Sequence, residues 1–205
     1  MSEALPEPGT TTSGHSYRSE DWYGEELVDV VFEKCTFSDV DLTESTTRNA
    51  VFRECTFHNC RFNASTHVSS AFVAGDFRRC NLFDVTLDGC KLDGSVFADC
   101  TMRPMRVLGG QWRGVTLRGA KLAGIDLSKV DLREADLSMA DLTKAVLRDS
   151  RLEGATVRET DLTKADLRGA SLGEMFLHEA TLEETRLDLA GAVLLAELHG
   201  AVVEP

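Results

Sequence analysis

Six cysteines, Cys35, Cys55, Cys60, Cys80, Cys90 and Cys100, are the first residues of this 205-residue chain that could act together chemically. As thiolates they would bind a soft metal, and as neighbours in space they would form disulfides. No histidine stands at a spacing that would complete a zinc set with them. Their own spacing is more telling, because every interval between successive cysteines is a multiple of five. His67 lies 20 residues after Thr47, and an imidazole beside a hydroxyl raises the question of general-base chemistry. Carboxylates follow the same arithmetic at Asp126, Asp131, Asp136 and Asp141, then Asp161 and Asp166. No phosphate loop, H-E-x-x-H helix or nucleophile–base motif accompanies them, so no enzyme is expected.

A period of five belongs neither to a helix, near 3.6, nor to a strand, at 2. In DLREADLSMADLTKAVL (131–147), leucine returns at 132, 137, 142 and 147. Stepping by fives in both directions covers 33 successive positions from Leu27 to Leu187, of which 27 are Leu or Phe. The residue two before each of these centres is small almost throughout, as at Val30, Cys35, Val40, Ser45, Ala50 and Cys55. Met105, Ile125 and Met175 are the bulky exceptions. The other three places in each unit are mostly charged, hydroxylated or glycine.

Each unit therefore turns one large and one small side chain inward. A chain that turns a corner every five residues satisfies this, and four units close one coil. The expected fold is an all-β solenoid, a four-cornered parallel β-helix of about eight coils over residues 25–188, roughly 40 Å long at the strand-pairing distance. All six cysteines fall on the small inward place, where a buried apolar thiol is the expected role. Cys60, Cys80 and Cys100 should stack as a column. His67 and Thr47 take centres in one column and should share a hydrogen bond in the core. Asp immediately before a centre supports the turn by bonding backbone groups. Pro104 with Gly109–Gly110 marks a distorted corner near mid-rod, with the five-residue register kept.

The ends differ from the rod. Residues 1–24, with Pro6, Pro8, Gly9, Gly14 and a Thr/Ser cluster, read as a mobile leader without the basic start or apolar core of a signal peptide. No apolar run is long enough to cross a membrane, so a cytoplasmic protein with reduced thiols is expected. After Leu187, Asp188 can cap a helix in DLAGAVLLAELHG (188–200), and residues 189–205 are expected to cap the last coil and join a dimer. Phe176, Leu189, Val193, Leu194 and Leu198 are the candidate dimer contacts. Net charge is −12, carried as −4 by residues 1–25, −6 by 26–189 and −2 by 190–205. Such a balance argues against binding nucleic acid or an anionic membrane and for a basic partner.

The units ADLRG (165–169) and ADLSM (135–139) match the A-[DN]-L-x-x signature of pentapeptide-repeat proteins, which residues 25–188 resemble. That resemblance implies a right-handed quadrilateral β-helix. GSVFADCTMRPM (94–105), RLEGATVRETDLTKADLRGA (151–170) and RLDLAGAVLLAELHG (186–200) resemble the mycobacterial fluoroquinolone-resistance, MfpA-like and Qnr-like, type. What that resemblance implies is a homodimer joined at its C-terminal helices, without cofactor or metal. Such a dimer imitates B-DNA and binds DNA gyrase, inhibiting it or protecting it from fluoroquinolone-type poisons. Candidate partner-facing residues are Asp126, Asp141, Asp161 and Asp166, with Glu174, Glu179, Glu183 and Glu184 near the dimer end. Two alternatives stand beside it: an interaction scaffold unrelated to topoisomerases, and a self-immunity factor in a producer of a gyrase-directed natural product.

Overall fold

A computed structural model describes residues 5–204. One face of the molecule is a parallel ladder that climbs in steps of 20 through Thr11, Val31, Val51, Ala71, Lys91, Gln111, Asp131, Arg151 and Ser171. A second face climbs through Ser16, Thr36, Thr56, Asp76, Val96, Thr116, Asp136 and Thr156. Asp21, Asp41, Arg61, Asn81 and Thr101 begin the third, and Glu26, Thr46 and Thr66 begin the fourth. Twenty residues per level on four faces is the parallel β-solenoid that the period of five requires.

The first face has nine levels, one more than the eight expected. The added coil comes from the segment expected as a leader. Thr11–Ser13 pairs with Val31–Glu33 and Ser16–Arg18 with Thr36–Ser38, so residues 11–24 belong to the coil rather than to a free leader. The physical reason is the same step of five carried back from Leu27, which places Trp22 and Tyr17 inside at 1% and 4% exposure. Burial of two aromatic rings outweighs the turn-rich composition around them. The rest of the leader expectation falls partly on residues 1–4, outside the described residues.

The inner columns set the rise. Phe32, Phe52 and Phe72 stack with centroids 4.9 and 4.7 Å apart, and Phe37, Phe57, Phe77 and Phe97 at 4.7, 4.5 and 4.5 Å. Those distances match the strand-pairing distance, so ring stacking and backbone pairing reinforce each other. Leu117, Leu122, Leu127, Leu132, Leu137 and Leu142 continue the core without rings, each at 0–1% exposure.

Nearly every corner is made by the residue two after a centre, which takes positive φ whether it is glycine or not, Glu179 in the short turn Leu177–Glu179 departing from it. Lys34, Glu44, Asn59, Arg79, Met139 and Lys164 all lie between φ 53° and 62°. The N–H at this place donates to the next level, as Glu44 does to the Asn63 carbonyl at 2.8 Å. Pro104 occupies the same place and can do neither thing: its ring holds φ near −65° and it has no N–H. The consequence is a parting of the ladder at this corner, while the register of 20 is kept where Lys91 pairs with Gln111 and Gln111 with Asp131.

The helix α1, Leu189–Leu198, closes the C-terminal end, and the Asp188 carboxylate accepts its Gly191 N–H at 3.0 Å. Leu187, Leu194, Leu195 and Leu198 pack against the core, so the helix covers the last coil. Among the described residues no helix is long and apolar enough to cross a membrane.

Candidate functional surfaces

The cysteines line the interior. All six are free, and Cys60, Cys80 and Cys100 rise in one column beside the paired residues Arg61, Asn81 and Thr101. Each thiol turns to a carbonyl of the preceding coil, as Cys60 does to Phe37 at 3.3 Å and Cys80 to Phe57 at 3.4 Å. Burial pushes the Cys55 thiol up to about 12 and the Cys90 thiol up to about 11, so neither supplies a thiolate near neutral pH.

His67 and Thr47 meet as the spacing requires, and two serines join them. The Thr47 hydroxyl lies 2.8 Å from His67 Nδ1 and 2.8 Å from the Ser70 hydroxyl. On the other side, Ser65 Oγ lies 2.9 Å from His67 Nε2 and donates to the Phe62 carbonyl at 2.7 Å. A serine, an imidazole and a third polar group in line resemble a nucleophile–base–orienter set. The proton directions exclude that role. With its hydrogen given to Phe62, Ser65 can only accept from Nε2–H, so Nε2 is not a base toward it. Thr47 then donates to Nδ1, and no carboxylate stands behind the ring. All four side chains are at 0–2% exposure, beyond reach of any substrate. The set is a satisfied polar strut in an apolar core.

The strut has a pH signature. Burial lowers the His67 imidazole from 6.5 to about 4. As pH falls, the unfolded chain takes the proton first, so this stability is full above pH 6.5 and is lost between 6.5 and 4. The loss approaches roughly 3 kcal/mol. Urea midpoints at pH 7.5 and 4.0 should show the advantage of wild type over His67→Phe shrinking by about that amount. A difference independent of pH would reject the neutral buried ring.

The aspartates that stand immediately before a centre mostly serve the turns of the rod. Asp41, Asp126, Asp136, Asp141 and Asp161 each accept the N–H two residues later, at 2.9–3.1 Å. Asp166 does so to Arg168 and also takes a two-pronged bond from the Arg168 guanidinium at 2.8 and 2.6 Å. That guanidinium, helped by Arg148, holds the Asp166 carboxyl at about 2. Asp141 and Asp161 pair directly, with Lys121 below and Thr181 above. Val146 separates Asp126 from Asp166, and Arg186 follows. One acidic stripe is therefore two residues long and the other is interrupted, and each meets a cation at one end.

Glu174, Glu179, Glu183 and Glu184 are exposed but lie on three different sides of the last coil, as a rim rather than a stripe. Only Glu184 among these four has an ion pair between described residues, with Lys164 at 3.7 Å. Beside this rim, Phe176 is 59% and Leu189 81% exposed, whereas Leu194 and Leu198 face the coil and Val193 is half-buried. Rings of Phe176 and His178, and of His178 and His199, pack at 6.1 and 6.0 Å, joining helix α1 to the turn before it. An acidic rim and exposed apolar side chains thus share the C-terminal end of the rod.

Reading by the period of five misses one feature that a local charge count finds. Residues 100–125 contain Arg103, Arg106, Arg113, Arg118 and Lys121 and neither Asp nor Glu. A cationic belt crosses an otherwise acidic rod at mid-length, where the ladder parts.

The family model for pentapeptide repeats matches residues 26–65, 113–149 and 145–183. Two solved structures of QnrB1, a plasmid-mediated fluoroquinolone resistance protein, share the fold from end to end. The full-length form superposes with a TM-score of 0.58 at 22% identity, covering 93% of this chain and 100% of that one. A trypsin-treated M102R form gives 0.58 at 16% identity, covering 95% and 97%. No curated protein is similar enough in sequence to match.

Proposed function

This chain belongs to the pentapeptide-repeat family, and from that membership we propose that it is a non-enzymatic protein ligand of DNA gyrase. In this reading it inhibits the enzyme, protects it from fluoroquinolone-type poisons, or does both. The observation that carries the reading is the end-to-end likeness to a fluoroquinolone resistance protein. An enzyme that handles duplex DNA presents cations to phosphates, and a stiff rod about 40 Å long with carboxylates at fixed intervals can compete for them. Support is strongest at the C-terminal end. There Glu174, Glu179 and Glu183 lack ion pairs among the described residues, and Phe176 and Leu189 offer apolar area for a second copy. Joined through that end, two rods would bring their acidic rims together and double the length. The protein would work in the cytoplasm, where its target is.

Supercoiling by purified gyrase, titrated with this protein with and without a fluoroquinolone, tests the proposal. Inhibition or rescue at micromolar protein is expected. Phe176→Asp with Leu189→Asp should sediment as a monomer and weaken the effect about tenfold. These two residues are chosen because neither belongs to the core on which helix α1 rests, Phe176 reaching the helix only through the His178 ring. No effect from a folded dimer would reject gyrase and leave an interaction scaffold with another partner.

A further inference from the structure

The coil parts along a seam at the cationic belt, and the ladder is open again between Thr156 and Phe176, where a short turn intervenes. Between residues 98–109 and the level at 118–128, no bridge and no backbone hydrogen bond is present among the described residues. The ladder is closed on both sides of the seam, at Val96–Thr116 and at Gln111–Asp131. Through most of the coil a centre donates its N–H to the next level and the residue before it donates to the previous one, as Leu42 does to Arg61 and Asp41 to Glu20. Across the seam the corresponding N–H groups of Met102, Lys121 and Asp126 have no backbone partner, nor do the carbonyls of Lys121, Ala123 and Asp126. The seam is an edge on each lip, with donors and acceptors alternating at the strand spacing.

Its charge is the reverse of the molecule's. Arg103, Arg106, Arg118 and Lys121 are exposed and form no ion pair among the described residues, while Arg113 is taken by Glu134. Asp99 and Asp126 flank the seam, and Asp141 beside it is engaged by the Thr143 amide and hydroxyl at 3.1 and 2.8 Å and feels Lys121 and Arg103, whose charges help to hold its carboxyl below the usual range. Two recesses open on the seam. One, of about 250 Å³, lies between Arg103, Pro104 and Met105 and the facing Gly124 and Ile125. The other, of about 320 Å³, lies between Asp99, Cys100 and Met102 and the facing Arg118 and Lys121, so one carboxylate stands among its cations. Thioether and aliphatic floors below a cationic rim suit alternating apolar and acidic side chains.

We propose that this seam docks an extended acidic peptide segment of a partner protein, which pairs its backbone with the parted lips and its carboxylates with Arg103, Arg118 and Lys121. Strand addition at an open edge is a common mode of peptide recognition, with the backbone supplying affinity and alternate side chains specificity. A nucleic acid fits less well: its phosphates would meet the cations but leave the three carbonyls facing negative charge. A long polyanion would also meet the −12 of the whole chain, whereas a short segment sees the local field within a Debye length of roughly 8 Å. The site is remote from the C-terminal end, so it stands or falls independently of gyrase binding.

Fluorescence anisotropy with the full chain and a labelled alternating Glu-Val peptide of about eight residues, in about 50 mM salt, tests it. Saturable binding is expected, weakened about tenfold in the R103E/R118E/K121E variant. N-methylation of alternate peptide nitrogens, which needs no protein variant, should cost about fivefold or more by removing strand pairing. An oligothymidylate of equal charge should bind about tenfold more weakly than the peptide. Absence of binding, binding unchanged in the variant, or indifference to N-methylation would overturn the proposal. An oligonucleotide that binds as tightly as the peptide would also overturn it, and would assign the belt to polyanions.

Discussion

Leu142→Lys is expected to cost about 4–7 kcal/mol and to unfold the coils around it, because a buried lysine must give up its proton. Leu142 is at 0% exposure, on the face where Lys121, Asp141 and Asp161 pair in sequence. Its N–H donates to the Asp161 carbonyl at 2.9 Å, so the side chain cannot leave the core without breaking the level above. Inward neighbours Ala140 and Ala145 offer no carboxylate, and a pKa lowered by 3–5 units converts to the stated cost at 1.36 kcal/mol per unit. Because each coil rests on its neighbours alone, the loss spreads along the rod rather than staying local. Met139→Lys is the matched control. Met139 is 41% exposed at a corner with φ 60°, the place held by Lys129, Lys144 and Lys164 at 59–62°. Its effect should stay within about 0.5 kcal/mol. A thermal midpoint for Leu142→Lys within about a degree of wild type would overturn the inward assignment.

The amino-acid sequence alone places Leu142 inside, because inward positions recur at fixed intervals and are chemically uniform. Burial acts on every fifth residue alike, so one period reports the whole core from Leu27 to Leu187. The same step also reaches Trp22 and Tyr17, but it then meets Thr12, and the prolines and glycines of residues 6–14 point the opposite way. Corner conformation is not legible in the chain, because Lys, Glu, Asp, Asn, Met and Gly all occupy it; only the backbone shows that the place demands positive φ. Without that, Pro104 reads as a kink, and its power to unpair two levels stays hidden. The His67–Thr47 contact follows from the interval of 20, whereas Ser65 and Ser70 enter through corner geometry that the interval does not encode. Partner surfaces are the least legible. Outward residues answer to turns, ion pairs and solvent together, so Asp166 can look like a recognition group while its charge is taken by Arg168.

Gly110→Ala is expected to cost about 2–6 kcal/mol for one added methyl. Gly110 lies at φ 128°, outside the corner range, in a region that L residues rarely enter. A Cβ there would stand 2.4 Å from the Cys90 carbonyl oxygen, which accepts the Gln111 N–H at 3.0 Å. The new methyl would therefore strike the acceptor that ties Gln111 to the level below it. It would also stand 3.2 Å from Trp112 Nε1, so the indole at this centre uses the space that glycine leaves. Backbone strain contributes about 1–3 kcal/mol and overpacking a similar amount. Adding Trp112→Leu should relieve the packing part and not the backbone part, giving a coupling of about 1–2 kcal/mol in a double-mutant cycle. Gly119→Asn supplies the contrast. Gly119 sits at φ 67° with nothing within 4 Å of its Cβ position, in a slot that Asn49 and Asn59 already occupy at 51° and 56°. Its cost should be within about 0.5 kcal/mol. Equal urea midpoints for the two glycine variants would show that the chain can shift at Gly110, and that the close approach to Cys90 does not hold the levels together.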